Sequence, residues 1–201
     1  MAIPINLVYE DELSEFVLSR LLSCFGDKYS SGYSYNGRGF GYIKSKINGF
    51  NQACAAVPFL VLTDLDNSNC PSELIESWVD QPLHPNMIFR IAIKEVEAWL
   101  LADIEGCARF LGVSEVNFPR NPENDPDPKG TLISLTKRSR KRRLKEDIIP
   151  INGNASIGPN YNGRLMEFVF DFWDVDRAMA RSKSLRGAFL KLQSFQIHDM
   201  D

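Results

Sequence analysis

Two aspartates one residue apart, Asp64 and Asp66, close an apolar run in the segment Phe59-Leu-Val-Leu-Thr-Asp64-Leu-Asp66. Carboxylates are hard oxygen donors. Where a chain leaves a strand, residues i and i+2 point the same way, so the pair can share one hard cation such as Mg²⁺. The five residues from Phe59 to Thr63 have the continuous apolar character of a buried parallel strand. Ligand chemistry in open α/β sheets sits just outside the carboxyl ends of such strands. Read for structure alone, the same two residues are a polar turn punctuated by Asp.

Further acids fall at equivalent places. Glu10 follows the short apolar run Ile5–Tyr9. If that first strand lies beside the Asp64 strand, Glu10 reaches the same sheet edge, where three carboxylates repel one another unless a cation neutralises them. Asp11, Glu12 and Glu15 are well explained by the positive N-terminal end of the helix that follows, and Glu10 less well. The run Met87–Ile93 reads as another strand, leading to Glu95 with Glu97 two residues on. Trp99, Leu100 and Leu101 have to face the core, so one of these two glutamates turns back toward the edge. Glu95, the first after the strand, is preferred; ordinary helix N-terminal acids are the alternative.

Positive charge is concentrated rather than general. The 201 residues carry a formal net charge of −3, which excludes a wholly basic nucleic-acid coat and makes any charge argument local. Between Lys137 and Lys145 every residue is basic except Ser139 and Leu144. Lys137, Arg138, Arg140, Lys141, Arg142 and Arg143 are therefore candidate phosphate contacts, against the alternative of a solvated or partner-facing helix. Lys129 stands apart in Pro-Asp-Pro-Lys129-Gly, as a phosphate contact or as plain loop charge. The turn Gly37-Arg38-Gly39-Phe40-Gly41 lacks the spacing of the dinucleotide fingerprint and the Gly-Lys-Ser/Thr of the Walker loop. It reads as a flexible turn from which Arg38 could touch a phosphate.

The elements that must position these groups alternate. Ile5–Tyr9 is a strand and Leu13–Phe25 a helix with Phe16, Val17, Leu21, Leu22 and Phe25 on one side. Tyr29–Gly41 holds a second strand, followed by a helix from about Tyr42 to Ala56. After the Asp64 strand come a loop from Asn67 to Pro71, a helix near Glu73–Val79, the Met87–Ile93 strand and a helix over Glu95–Asp103. This alternation predicts an α/β fold with a mostly parallel sheet flanked by helices. Composition shifts to Pro, Asn and Asp from Asn117 to Pro128, placing a boundary there. The expected organisation is an α/β core over 1–116, then a loop, a basic helix and a helical C-terminal part over 117–201, packed on the core as one unit. Within that part the expected elements are a Gly/Asn-rich loop, Asn152–Gly163, and helices Leu165–Trp173 and Val175–Phe195.

Cys24, Cys54, Cys70 and Cys107 are widely spaced with no CxxC pair, so they read as reduced and structural. No basic leader opens the chain and no apolar stretch is long enough for a membrane span, which predicts a cytoplasmic protein.

Taken together, these residues resemble the TOPRIM fold, the metal-binding domain of topoisomerases, bacterial primases and OLD-type nucleases. Its signature is a glutamate after the first strand and an Asp-x-Asp after a later one, here Glu10 and Asp64/Asp66. More closely, the chain resembles a TOPRIM-like bacterial family of undefined activity, often encoded beside an ABC-type or OLD-type ATPase in phage-defence loci. The matching stretches are Val8-Tyr-Glu10 with Glu15, the Gly37–Gly41 turn, Leu62-Thr-Asp64-Leu-Asp66, Glu95-Val-Glu97-Ala-Trp-Leu-Leu-Ala-Asp103, Pro128-Lys129, Gly158–Val169 and Ser184-Leu-Arg-Gly-Ala-Phe. The family usually has glycine after the first glutamate; here Asp11 stands there.

The resemblance implies a nuclease acting on DNA or RNA, with Glu10, Asp64, Asp66, Glu95 and Glu97 as the candidate ligands of Mg²⁺ or Mn²⁺. Lys129 would then stabilise developing negative charge, and the basic segment would bring in the nucleic acid. The partners to expect are nucleic acid, an ATPase and further copies of the chain, with no membrane. The main alternative is a non-catalytic adaptor or regulatory subunit of an ATPase complex, docking through Phe168, Phe170, Phe172 and Trp173 if those are not core. A haloacid-dehalogenase-type phosphatase fits less well, because its nucleophilic aspartate ends the first strand of the core. A nucleotide-sugar site is also possible for an Asp-x-Asp, but no sugar pocket is suggested.

Overall fold

The computed structural model describes residues 2–66, 68 and 70–198. The chain forms two compact units, one running up to Ile93 and resumed from Arg186, the other spanning Lys94–Leu185.

The first unit holds β1 (Ile3–Tyr9), α1 (Glu12–Ser23), β2 (Tyr29–Asn36), α2 (Phe40–Ala53), β3 (Phe59–Asp64), α3 (Pro71–Trp78) and β4 (Met87–Ala92). Among the described residues the strands form one four-stranded sheet in the order β2-β1-β3-β4. Every neighbouring pair is parallel, with Leu7 opposite Leu60 and Leu62 opposite Arg90. The predicted parallel sheet flanked by helices is thus present, and the architecture is consistent with a Rossmann-like fold. Parallel strands need crossovers, and the helices supply them while covering the sheet.

Burial follows from this order. Central β3 is enclosed from Phe59 to Thr63, matching its unbroken apolar sequence, whereas edge strand β2, Tyr-Ser-Ser-Gly-Tyr-Ser-Tyr-Asn, is largely exposed. Val8, Phe59, Val61, Phe89 and Ile91 pack with Ile43 and Ile47 of α2 and Leu74 and Trp78 of α3 in one cluster. The apolar side of α1, with Leu13, Val17 and Leu21 buried, packs on β1, β2 and β3. The returning C-terminal segment is fastened within this unit. Phe189 packs on Phe25, Tyr29 donates its hydroxyl hydrogen to the Leu192 carbonyl at 2.5 Å, and the Asn86 side chain bonds both the N–H and the carbonyl of His198.

The sheet order creates a switch point. From β1 the chain crosses to β2 on one side; from β3 it crosses to β4 on the other. The crevice at the carboxyl ends of β1 and β3 is therefore not roofed by either connection, and ligands of open α/β sheets bind at such a point.

The second unit is helical: α4 (Val96–Leu101), α5 (Ile104–Leu111), α6 (Pro128–Lys137), α7 (Arg142–Ile148), α8 (Tyr161–Asp171) and α9 (Val175–Met179). From it α10 (Lys183–Ser194) leads back to the first. Side-chain hydrogen bonds set helix boundaries that differ from the expected ones. Asp103 accepts the Gly106 amide and starts α5, so Glu95–Asp103 is not one continuous helix through its last residues. Glu123 accepts from Ser182 Oγ, Lys183 N and Ser184 N, splitting the expected Val175–Phe195 helix into α9 and α10. The basic segment is likewise not a helix of its own. It spans the end of α6, a turn and the start of α7, where Ser139 donates its hydroxyl to the Leu111 carbonyl. Of the C-terminal aromatics, Phe168 and Trp173 are core, and Phe170 is exposed. Among the described residues, no helix is long and apolar enough to cross a membrane.

Candidate functional site

Strand β1 ends at Tyr9, and the next residue, Glu10, lies at the switch point. Its carboxylate is turned onto the neighbouring strand: Oε1 accepts the Thr63 hydroxyl and, at 3.0 Å, the Asp64 backbone N–H. Thr63 is almost wholly buried, following four apolar residues in β3. Glu10 titrates above its ordinary range, chiefly because it is desolvated, and the negative charges of Asp66 and Asp11 push further in that direction. The Thr63 hydroxyl and the Asp64 amide pull the other way, since both hydrogen bonds favour the ionised form.

The backbone around Glu10 is held from its other side. Gly37 and Gly39 donate their amides to the carbonyls of Tyr9 and Glu10, at 2.8 and 3.0 Å. The glycine-rich turn is thus the brace of the Glu10 backbone. Gly39 has φ +113°, a conformation open to glycine, and Arg38 between the two glycines has φ +50° with an exposed side chain. Asp11, at the position where a glycine was expected, caps α1 by accepting the Ser14 amide at 2.8 Å.

Asp64 and Asp66 lie on the same side of the crevice and line a cleft of about 640 Å³ together with Phe40, Lys44, Ser68, Leu74, Ser77 and Trp78. Asp66 is exposed and left-handed, with φ +48°. Asp tolerates that region better than most residues, yet the conformation costs free energy and is typical of functional turns. The chemistry of this edge fits a hard divalent cation: oxygen donors only, a desolvated glutamate, and like charges close to it. The gathering is loose, since among the described residues no three His, Cys, Asp or Glu side chains form a ready-made metal group. Mg²⁺ commonly takes only one or two carboxylates and completes its shell with water and substrate oxygens.

Glu95, Glu97 and Lys129 meet in the second unit. Lys129 Nζ lies 3.5 Å from Glu97 Oε1 and 3.9 Å from Glu95 Oε1. Glu95 Oε2 accepts the Lys129 amide at the start of α6, and Tyr161 donates its hydroxyl hydrogen to Glu97 at 2.9 Å. Glu97 is only 2 % exposed, and burial raises its pKa despite the nearby Lys129. This is an acid cluster supplied with its own cation.

The basic segment also lies in the second unit, with Lys137, Arg140 and Arg143 exposed. Three of its members have other bonds. Arg138 donates to Asn117 Oδ1, Lys141 to the Arg109 and Phe110 carbonyls that end α5, and Arg142 pairs with Glu146.

Thr63, Phe40, Lys44, Trp78 and Tyr161 were not singled out from sequence. A lone hydroxyl in an apolar strand was a visible signal for Thr63, and an aromatic and a lysine four residues apart was one for Phe40 and Lys44. Trp78 and Tyr161 carried none. No family model, curated protein or solved structure matches the chain.

Proposed function

We propose that this protein is a Mg²⁺- or Mn²⁺-dependent phosphodiesterase of the TOPRIM type, acting on nucleic acid. The observation that carries the reading is the attachment of Glu10 to Thr63 and Asp64, which brings an acid from β1 to the Asp-x-Asp of β3 at the switch point. Asp64, Asp66 and Glu10 would hold the ion, which when bound supplies a water of lowered pKa and neutralises charge on the phosphate. Both described hydrogen bonds to Glu10 take Oε1, so its orientation is set while Oε2 remains to serve as a donor. Lys137, Arg140 and Arg143 would attract the polyanion, and binding would weaken with salt. Work in phage defence beside an ATPase belongs to the same proposal.

A second reading has an observation of its own. Because no three acids are already gathered among the described residues, the site could be completed only within a complex, making the chain a TOPRIM-like adaptor of an ATPase. Calorimetric titration of Mn²⁺ into the protein and into Asp64→Ala/Asp66→Ala separates the two. Saturable binding that disappears in the variant supports the hydrolase; no binding in the unaltered protein removes it in favour of the adaptor.

A further inference from the structure

The cleft beside Asp64 and Asp66 has one wall that metal chemistry does not need. Phe40, in the first turn of α2, is 51 % exposed, and its ring lies against that of Trp78 at 6.2 Å with the planes only 25° apart. Trp78 is buried and backed in turn by Phe89, at 6.1 Å. A single exposed phenylalanine is ordinary. This one is held on a stack that reaches into the core, and it lines a cleft rather than a flat surface. Lys44 follows four residues later, which places it on the same side of α2 one turn along, and it lines the same cleft. Ser68 and Ser77 add hydroxyls.

An aromatic plane, a cation one helical turn away and a carboxylate edge match the parts of one ligand class: a base, a phosphate and a phosphodiester brought to a metal. We infer that this cleft is a subsite for an unpaired nucleotide, with the base stacked on Phe40 and a phosphate paired to Lys44. In a duplex the faces of a base are covered by its neighbours, and only an unpaired or splayed base can offer one to an aromatic side chain. The subsite therefore selects single strands, or single-stranded ends, over continuous duplex. Stacking takes any base, so it confers strand preference rather than sequence preference. The inference rests on reading the Asp64/Asp66 edge as a nucleic-acid site, and it adds the substrate class to that reading.

The test is fluorescence anisotropy with the whole chain in Ca²⁺ buffer, using short labelled oligo-dT, oligo-U and a blunt-ended duplex of two separate strands, with probe integrity checked by electrophoresis. Tighter binding of a single strand than of the duplex is expected, and the dT and U arms decide between DNA and RNA. Phe40→Ala should weaken single-strand binding about tenfold or more, and Phe40→Trp should restore it. Lys44→Gln should lower the slope of log affinity against log salt by about 0.7, the loss of one single-strand phosphate contact. Equal binding of duplex and single strand, or a Phe40→Ala protein that binds like the parent, overturns the subsite. Cleavage in Mn²⁺ is scored separately. Phe40-dependent binding without cleavage defeats the hydrolase and leaves the subsite standing. Asp64-dependent cleavage with no effect of Phe40→Ala on binding does the reverse.

Discussion

Glu10 and Glu97 are both glutamates with raised pKa values, and their surroundings differ in one respect that decides what each can do. Glu97 is buried, with the partly exposed ammonium of Lys129 at 3.5 Å and the hydroxyl of Tyr161 beside it, so its charge is matched from within the second unit. Around Glu10 the strongest charges are the negative ones of Asp66 and Asp11, and the compensation comes from an uncharged hydroxyl and a backbone amide. Removing one member of a pair such as Glu97 and Lys129 leaves the other's charge unmatched and costs stability. A desolvated carboxylate among like charges is stabilised by a cation from outside. The two glutamates thus differ in the compensation around them: an ammonium and a hydroxyl at Glu97, a hydroxyl and a backbone amide at Glu10.

The sharpest way to break that contrast is to neutralise each glutamate and assay metal-dependent hydrolysis. Glu10→Gln should lower the rate by about a hundredfold or more, the scale of losing a group that organises charge stabilisation. Glu97→Gln should leave it within about tenfold of the parent. Comparable losses would dissolve the distinction. Next in size is stability, read from urea denaturation. Glu97→Ala removes the buried carboxylate together with its contacts to Lys129 and Tyr161, for a cost of about 3 kcal/mol.

A pH series sharpens the same comparison. Burial holds the folded-state pKa of Glu97 above its ordinary value of 4.5, so the native state binds more protons than the unfolded chain between those two values. Stability from this group is therefore full at low pH and falls as pH rises through that window. Lys129 opposes the shift. In Lys129→Gln the fall should be larger and continue to higher pH, and in Glu97→Gln/Lys129→Gln it should be absent. The smallest effect is expected at Asp66. Asp66→Gly relieves a left-handed backbone at φ +48° while adding chain entropy to the unfolded state, so stability should change by no more than about 1 kcal/mol. Mn²⁺ affinity measured by calorimetry should drop in the same variant, separating a carboxylate kept for binding from one kept for folding.

Some of this was legible in the letters because it depends on local period and composition. The unbroken apolar run Phe59–Thr63, the helical spacing in α1 and the β–α alternation all reflect which residues a parallel sheet can bury. The same logic placed Glu10, Asp64 and Asp66 at strand ends. Helix boundaries were less legible, because Asp103 and Glu123 end or start helices by hydrogen bonds, and the Glu123 bonds reach across some sixty positions of sequence. The basic run Lys137–Lys145 looked like one helix because charge density carries no information on backbone breaks; the Ser139 hydroxyl on Leu111 marks the break.

By itself, then, the sequence determined the α/β class with a parallel sheet, two strands that end in acids, and the concentration of positive charge. Only the tertiary structure decided that Glu95 and Glu97 have Lys129 beside them. Lys129 follows Glu97 by 32 residues and Tyr161 by 64, and neither spacing announces a contact. The stacking of Phe40 on Trp78 likewise depends on α2 and α3 covering the same sheet face. Burial and pairing are properties of positions brought together by chain closure, and periodicity along the chain does not encode them.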